Sequence, residues 1–218
     1  MQSVTPSDDF IRFLSRYPLR VFKKGETILL KDDIPDGMYV IDSGFVKTYS
    51  ITADGDERLV SIDQPGEDFP IGFGLGLIDR STYFYEAYTR CAVRVVPGKD
   101  YVEYLRSDND TMYARHVRLM ILLLSAFDRV NALEQPGAQN KLGYTLLYMA
   151  NRLGVMLPPY RNRRTIAITQ QELANALGLA RETTSIELKK LEALHLVAHT
   201  RKKYIVYMER LKEYLRDH

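Results

Sequence analysis

Apolar residues change their spacing twice along this chain, and the changes divide it. Between Pro18 and Val96 they come in short runs separated by turn signals. Val21-Phe22, Thr27–Leu30, Met38–Ile41, Phe45–Ile51, Arg58–Ile62, Tyr83–Tyr88 and Ala92–Val96 are β-prone. Lys24-Gly25, Pro35-Asp36-Gly37, Ser43-Gly44, Asp54-Gly55-Asp56 and Pro65-Gly66 punctuate them. Short strands at this spacing, with no helices between them, predict an antiparallel sandwich or jelly roll. A short helix from Asp8 to Tyr17, stopped by Pro18, precedes it.

From Ser107 to Glu134 the spacing becomes helical. Tyr113, Val117, Met120, Leu124 and Phe127 step by four, three, four and three residues, and one more step reaches Asn131. That is a heptad seam, which drives helices to pair. A second line, Leu119, Leu122, Leu123, Ala126, Val130 and Leu133, is available to pack on the chain's own sandwich. One buried surface inside a monomer accounts for one face only, so a parallel homodimer is expected. The helix would be about 40 Å long, enough to link two domains. Glu134-Gln135-Pro136-Gly137 is the hinge candidate. Beyond it come an amphipathic helix (Asn140–Leu153), a break at Pro158-Pro159 and a β-prone segment, Arg164–Ile168.

Between Thr169 and Leu196 the pattern is two helices with a tight break. Thr169 is an N-cap, Glu172 can close a capping box, and Leu173, Ala174, Ala176 and Leu177 supply the apolar side. Gly178 ends the first helix where a positive φ is needed. The second runs from about Ala180 to Leu194, with Leu188, Leu191 and Leu194 as its buried positions. Such a pair can brace one helix on a DNA backbone and lay the other in the major groove. The face presented is Arg181, Glu182, Ser185 and Lys189, able to donate to guanine, accept from cytosine and hold phosphates. An ordinary αα-hairpin with a solvated charged face is the plainer alternative. Two β-prone runs, Leu196–His199 and Tyr204–Tyr207, flank Thr200-Arg201-Lys202-Lys203 and suggest a wing. Three adjacent cations at a hairpin tip repel one another unless a polyanion is near.

Charge distribution sharpens this division. Residues 136–218 carry 14 Lys and Arg against 7 Asp and Glu, a net of +7. The first 135 residues therefore carry 16 against 21, a net of −5 in a chain of net +2. A nucleic-acid-facing C-terminal part and an N-terminal part with another task follow. The single cysteine, Cys91, excludes an internal disulfide framework and fits a reducing cytoplasm. No signal peptide is evident, and the most apolar run, Leu119–Phe127, is too short to span a bilayer. The expected location is cytoplasmic, with no membrane partner.

This plan resembles the CRP/FNR superfamily of bacterial transcription regulators over nearly the whole chain. The most specific likeness is Gly178, Arg181-Glu182-Thr183 and Leu188-Lys189 with Leu191-Glu192. Phe22-Lys23-Lys24-Gly25-Glu26, Met38–Ile41 with Ser43-Gly44, and Pro65-Gly66-Glu67 look like sensor-domain landmarks. The resemblance implies an α+β chain in three parts. These are a cyclic-nucleotide-binding-like β-roll (1–106), a dimerisation helix (107–134) and a winged helix-turn-helix (135–218). It implies a homodimer on a palindromic operator in double-stranded DNA, with RNA polymerase as a further partner if the chain activates. DNA-contacting residues carried over are Thr169, Gln170, Arg181, Glu182, Thr183, Ser185, Ile186, Lys189, Arg201, Lys202 and Lys203.

Departures concern the signal. Cyclic-nucleotide members hold the phosphate on a Gly-rich backbone segment and add a Glu and an Arg. Here the segment is Ile71-Gly72-Phe73-Gly74-Leu75-Gly76-Leu77, with no Glu inside it. Arg80-Ser81 matches the Arg-Ser pair only if the spacing shifts by one residue, and Ala126 and Phe127 replace two hydroxyl residues on the dimer helix. These departures argue against cAMP. The candidate effector pocket is Phe73, Gly74, Leu75, Gly76, Arg80, Ser81, Tyr83, Tyr85 and Phe127. Its aromatics, with Phe69, Phe84 and Tyr88, either line an apolar pocket for a different small effector or plug the roll. One cysteine cannot supply the four thiolates of an iron–sulfur cluster. His116, His195, His199 and His218 have no evident pairing for haem or metal, so no cofactor is expected. Ile186 stands where many members carry an Arg, which predicts an altered base preference. Other readings are a cyclic-nucleotide-responsive regulator and an effector-binding module with weakened DNA binding. An enzyme is disfavoured, because no nucleophile–base pair, metal-spaced cluster or phosphate-transfer loop is present.

Overall fold

The computed structural model describes residues 7–200 and 203–217. By their contacts these form two units: 7–50 with 59–122, and 51–58 with 123–200 and 203–217. The division falls inside the long helix.

The first unit opens with α1 (Asp8–Leu14), capped by the Ser7 hydroxyl, which accepts from the Phe10 amide at 3.1 Å. Eight strands follow: β1 (Leu19–Phe22), β2 (Thr27–Leu29), β3 (Met38–Ser43), β4 (Val46–Ile51), β5 (Glu57–Asp63), β6 (Asp68–Phe69), β7 (Phe84–Ala87) and β8 (Cys91–Val96). They make two four-stranded sheets, β1-β8-β3-β6 and β2-β7-β4-β5. Every pairing resolved between them is antiparallel, as the turn-punctuated pattern predicts. The core between the sheets includes Leu29, Ile41, Val46, Val93 and Val95, with three aromatic rings in a column. Tyr39 stacks on Phe69 at 5.2 Å between centroids, and Phe69 on Tyr85 at 4.6 Å.

Two helices complete this region, α2 (Gly98–Ser107) and α3 (Asn109–Glu134). The sequence reading runs from the last strand straight into the long helix and omits α2. Tyr101 and Leu105, four residues apart, bury α2 against Phe10, Phe13 and Leu14 of α1. The N-terminal helix is also shorter than predicted, closing at Leu14 before Pro18 is reached.

Along α3 the inward line differs from the predicted one. Leu119, Leu123, Ala126 and Val130 are exposed, and Leu122 and Leu133 are half-buried. The buried positions are instead Thr111, Arg115, Ser125, Arg129 and Ala132. A polar stripe can turn inward because its cations find acceptors. Arg115 bonds the Asp68 carboxylate at 2.7 Å and the Gly66 carbonyl at 2.6 Å. Arg129 donates to the Ala176 carbonyl and lies 5.7 Å from the Tyr148 ring centre.

The second unit holds the rest of α3, then α4 (Ala138–Leu153), β9 (Val155–Leu157), β10 (Tyr160–Ile166), α5 (Gln170–Leu177) and α6 (Arg181–Ala193). It closes with β11 (Val197–Thr200), β12 (Lys203–Tyr207) and α7 (Met208–Asp217). The strands form one antiparallel sheet, β11-β12-β10-β9. Its core joins Leu142, Leu146 and Met149 of α4 to Leu173, Leu177, Leu188 and Leu191 of the helix pair. Leu194, expected inside, is 49% exposed, because it caps α6 instead of continuing its buried side. β9 and α7 are absent from the sequence reading. Met208, Leu211 and Leu215 give α7 a buried side at helical spacing, and that signal stands in the sequence.

Candidate DNA interface and sensor site

The helix pair forms for local reasons. Thr169 accepts from the Glu172 amide at 3.1 Å while the Glu172 carboxylate accepts from the Thr169 amide at 2.7 Å, a closed capping box. Gly178 ends α5 at φ +66°, a backbone state costly for residues with a Cβ. The chain then turns at Ala180 into α6, where the buried Thr184 hydroxyl donates back to the Ala180 carbonyl at 3.1 Å.

On the outer side of α6, Arg181, Glu182, Ile186 and Lys189 are exposed, and Thr183 and Ser185 are half-buried. The first turn of α6 carries the positive end of its dipole, which favours acceptor groups on a partner. Lys190 is turned toward the nearly buried Glu187 at 2.8 Å. That leaves Lys189 as the outward cation of the pair. Thr169 is exposed at the start of α5, and the half-buried Gln170 side chain lies close to the Tyr204 hydroxyl of the wing. Its sequence position does not reveal that proximity. Tyr204 is buried and stacks on His199 at 4.6 Å, and burial pushes its hydroxyl above the ordinary value. The wing is the β11–β12 hairpin, whose register pairs Thr200 with Lys203. Lys203 is exposed; Arg201 and Lys202 lie outside the described residues.

On α3 the seam residues face solvent. Tyr113 is 71% exposed, Leu124 56% and Phe127 60%. Met120 and Asn131 are also exposed, and Val117 is half-buried. The Asn131 side chain accepts from Gln135 at 2.9 Å.

The candidate effector residues scatter. Tyr85 sits in the aromatic column inside the roll, where burial and the Asp63 charge raise its hydroxyl far above the usual range. Asp63 is itself buried and accepts from the Thr48 hydroxyl at 2.6 Å and the Ser61 hydroxyl at 2.9 Å. Ser81 is buried, but its hydroxyl donates to the Tyr83 carbonyl at 2.6 Å. Arg80 is exposed and donates to the Asp32 carbonyl at 2.9 Å. Phe73 packs beside the α1–α2 core. Tyr83, Gly76 and Phe127 are exposed, and Gly74 and Leu75 border a separate cavity. Within the first unit, the eight candidates other than Phe127 do not converge on one space.

Sequence reasoning missed the polar groups beneath the long helix. Arg115, Asp68 and Tyr101 form one network, with the Tyr101 hydroxyl donating to Asp68, and Arg129 reaches the end of α5. The signal was available as a polar line at heptad spacing opposite the apolar seam.

A helix pair with an exposed polar recognition face, backed by a β-hairpin wing, defines the winged helix-turn-helix class of DNA-binding protein. Two family models match, the cyclic nucleotide-binding domain over residues 19–108 and the Crp-like helix-turn-helix domain over residues 140–214. The nitrogen fixation regulation protein FixK of Azorhizobium caulinodans is 29% identical over 174 residues, 79% of this chain and 68% of that protein. The cAMP-activated global transcriptional regulator CRP of Escherichia coli is 26% identical over 198 residues, 89% of this chain and 92% of that protein. The solved structure of the c-di-GMP-responsive global regulator CLP of Xanthomonas campestris has the same fold. Its TM-score is 0.75 at 22% identity, covering 91% of this chain and 97% of that one. The two domain matches, with the FixK and CRP relatives, support a DNA-binding transcription regulator of the CRP/FNR family. No helix among the described residues is long and apolar enough to cross a membrane.

Proposed function

We propose that this regulator acts as a homodimer on a palindromic operator, and that its sensor unit answers to something other than a cyclic nucleotide. The observation that carries the first part is the exposed seam on α3. Leucine, phenylalanine, tyrosine and methionine at heptad spacing, open to water along one helix face, are what a second copy of the same helix would cover. Two copies then offer two α6 helices, and the operator takes the symmetry of the protein.

The second part is supported by the roll interior. The Tyr39–Phe69–Tyr85 column occupies the space between the sheets, and the buried Asp63 carboxylate beside Tyr85 opposes a phosphate charge. Arg80, the candidate phosphate cation, is spent on a backbone carbonyl at the surface. Of the two sequence readings of these aromatics, the plugged roll is the one this packing favours. Calorimetry of cAMP into the full chain, with operator affinity measured with and without it, is the test. We expect no heat of binding and one DNA affinity. A DNA affinity tightened tenfold by cAMP would overturn the reading.

A further inference from the structure

Three elements of the first unit enclose a cavity of about 340 Å³, apart from the aromatic core of the roll. The loop around residues 71–77 forms one wall, α2 another, and the first half of α3 the third. Small-molecule sites run from roughly 300 to 1,000 Å³, so the size is that of a small ligand.

The loop wall is preformed. The Phe73 amide donates to the Pro70 carbonyl at 3.2 Å, the Gly76 amide to Phe73 at 3.0 Å and the Leu77 amide to Gly72 at 3.0 Å. Gly72 and Gly76, at φ +86° and +69°, let the loop close on itself. Gly74 lies directly on Met38, another lining residue: a Cβ there would stand 3.0 Å from Met38 Cγ.

The charged groups of the lining are matched to one another. Two carboxylates, Glu67 and Asp68, stand with two guanidiniums, Arg115 and Arg118. Asp68 has both oxygens engaged, one by Arg115 at 2.7 Å and the other by the Tyr101 hydroxyl. Glu67 accepts from the Gln64 amide at 2.7 Å, and both carboxylates act on Arg118. A ligand of either charge would lose hydration and meet repulsion from one of these pairs. What remains is aliphatic. Met38 and Leu105 are buried, whereas Ile71, Leu75, Leu77 and Leu119 stay open to water beside the concavity. Covering such groups is favourable in proportion to the apolar area removed from water.

We propose that this cavity binds an uncharged aliphatic molecule with at most one polar group, its hydrocarbon body covered by Ile71, Leu75, Leu77 and Leu119. This rests on the reading that the sensor unit answers to a signal other than a cyclic nucleotide. Such a ligand would touch α3 directly, the helix that carries the seam.

The probes are octan-1-ol, hexan-1-ol, octanoate and octylammonium, titrated calorimetrically into the full chain at neutral pH without DNA. Octan-1-ol is expected to bind one per chain. Each methylene removed should cost about fourfold, so hexan-1-ol should bind about fifteenfold more weakly. Octanoate and octylammonium, with the same tail and opposite charges, should each bind about tenfold or more weakly than octan-1-ol. Leu75→Glu, on the exposed loop, should weaken octan-1-ol without changing the melting temperature or the sedimentation of the chain. Leu124→Arg, on the seam, should leave octan-1-ol binding unchanged. Absence of octan-1-ol binding, a charged probe equal to the alcohol, or indifference to Leu75→Glu overturns the proposal. Loss of binding in Leu124→Arg puts the probe on the seam, and a monomer from Leu75→Glu makes the loop a subunit contact; either result overturns it too. A cAMP arm and an operator titration separate it from the functional reading. Silent octan-1-ol with silent cAMP removes the cavity assignment alone, whereas DNA binding driven by cAMP removes the reading beneath it.

Discussion

Arg181 and Glu182 occupy the exposed first turn of α6, one a fork of donors and the other an acceptor. If they read base edges, each Ala variant should lose roughly 1–3 kcal/mol of discrimination at one base pair per half-site. Affinities for single-base operator variants test this, and uniform weakening on every sequence would make them phosphate contacts. Gly178 is a different kind of residue, needed for its backbone. A Cβ there meets only Arg58 Nε at 3.9 Å, so Gly178→Ala should cost just the left-handed conformation, roughly 1–2 kcal/mol in denaturant unfolding. Cys91 is buried, and burial with the nearby Glu26 charge moves its thiol from 9.0 up to about 11. Folding favours the protonated form, so its contribution to stability is whole below pH 9.0 and lost as pH rises toward about 11. At neutral pH a thiol reagent should label the native chain far more slowly than the unfolded one; equal rates would contradict this. At this scale much was legible: Thr169, Glu172 and Gly178 do locally what their types predict. Gln170 was not, because its neighbour Tyr204 is 34 residues away in sequence and only the fold brings them together.

Among the elements, α3 has two opposed sides. Its seam was readable because leucine and phenylalanine at heptad spacing have one strong physical meaning. Its other side was not readable from apolarity, because the buried line is largely polar. Arg115 and Arg129 go inside since a carboxylate, carbonyl oxygens and aromatic faces receive them. Two predictions follow at this scale. Leu124→Arg should yield a folded monomer by sedimentation, since that side chain is 56% exposed and makes no core. Arg129→Met should lose the bond to the end of α5, a charge-assisted contact of about 1.5–3 kcal/mol. Amide exchange should then rise in α5 while α4 stays protected. Exchange unchanged throughout would show that the bond does not hold the helix.

Over the whole molecule, charge is divided unequally between the two parts. The C-terminal part carries +7, and its wing ends in Lys203 beside Thr200. Lys203→Ala should reduce the slope of log affinity against log salt by about 1 and leave sequence preference intact. Most strands, the long helix and the helix pair were visible in periodicity and turns, while the short β6 and β9 were not. The helices α2 and α7 were barely legible, because each carries only two or three buried apolar positions beside a much stronger strand or seam signal. The arrangement of the candidate effector residues was less legible. They were carried over by resemblance, whereas the stacking of Tyr39, Phe69 and Tyr85 joins positions far apart in sequence. The central claim is that two subunits set two α6 helices into one duplex, and selection of bound DNA from random sequence tests it most directly. The account predicts enrichment of an inverted repeat with half-site centres about one helical turn, roughly 34–36 Å, apart, and the same repeat with or without cAMP. Enrichment of a single unrepeated element, or of no sequence at low salt, would contradict it.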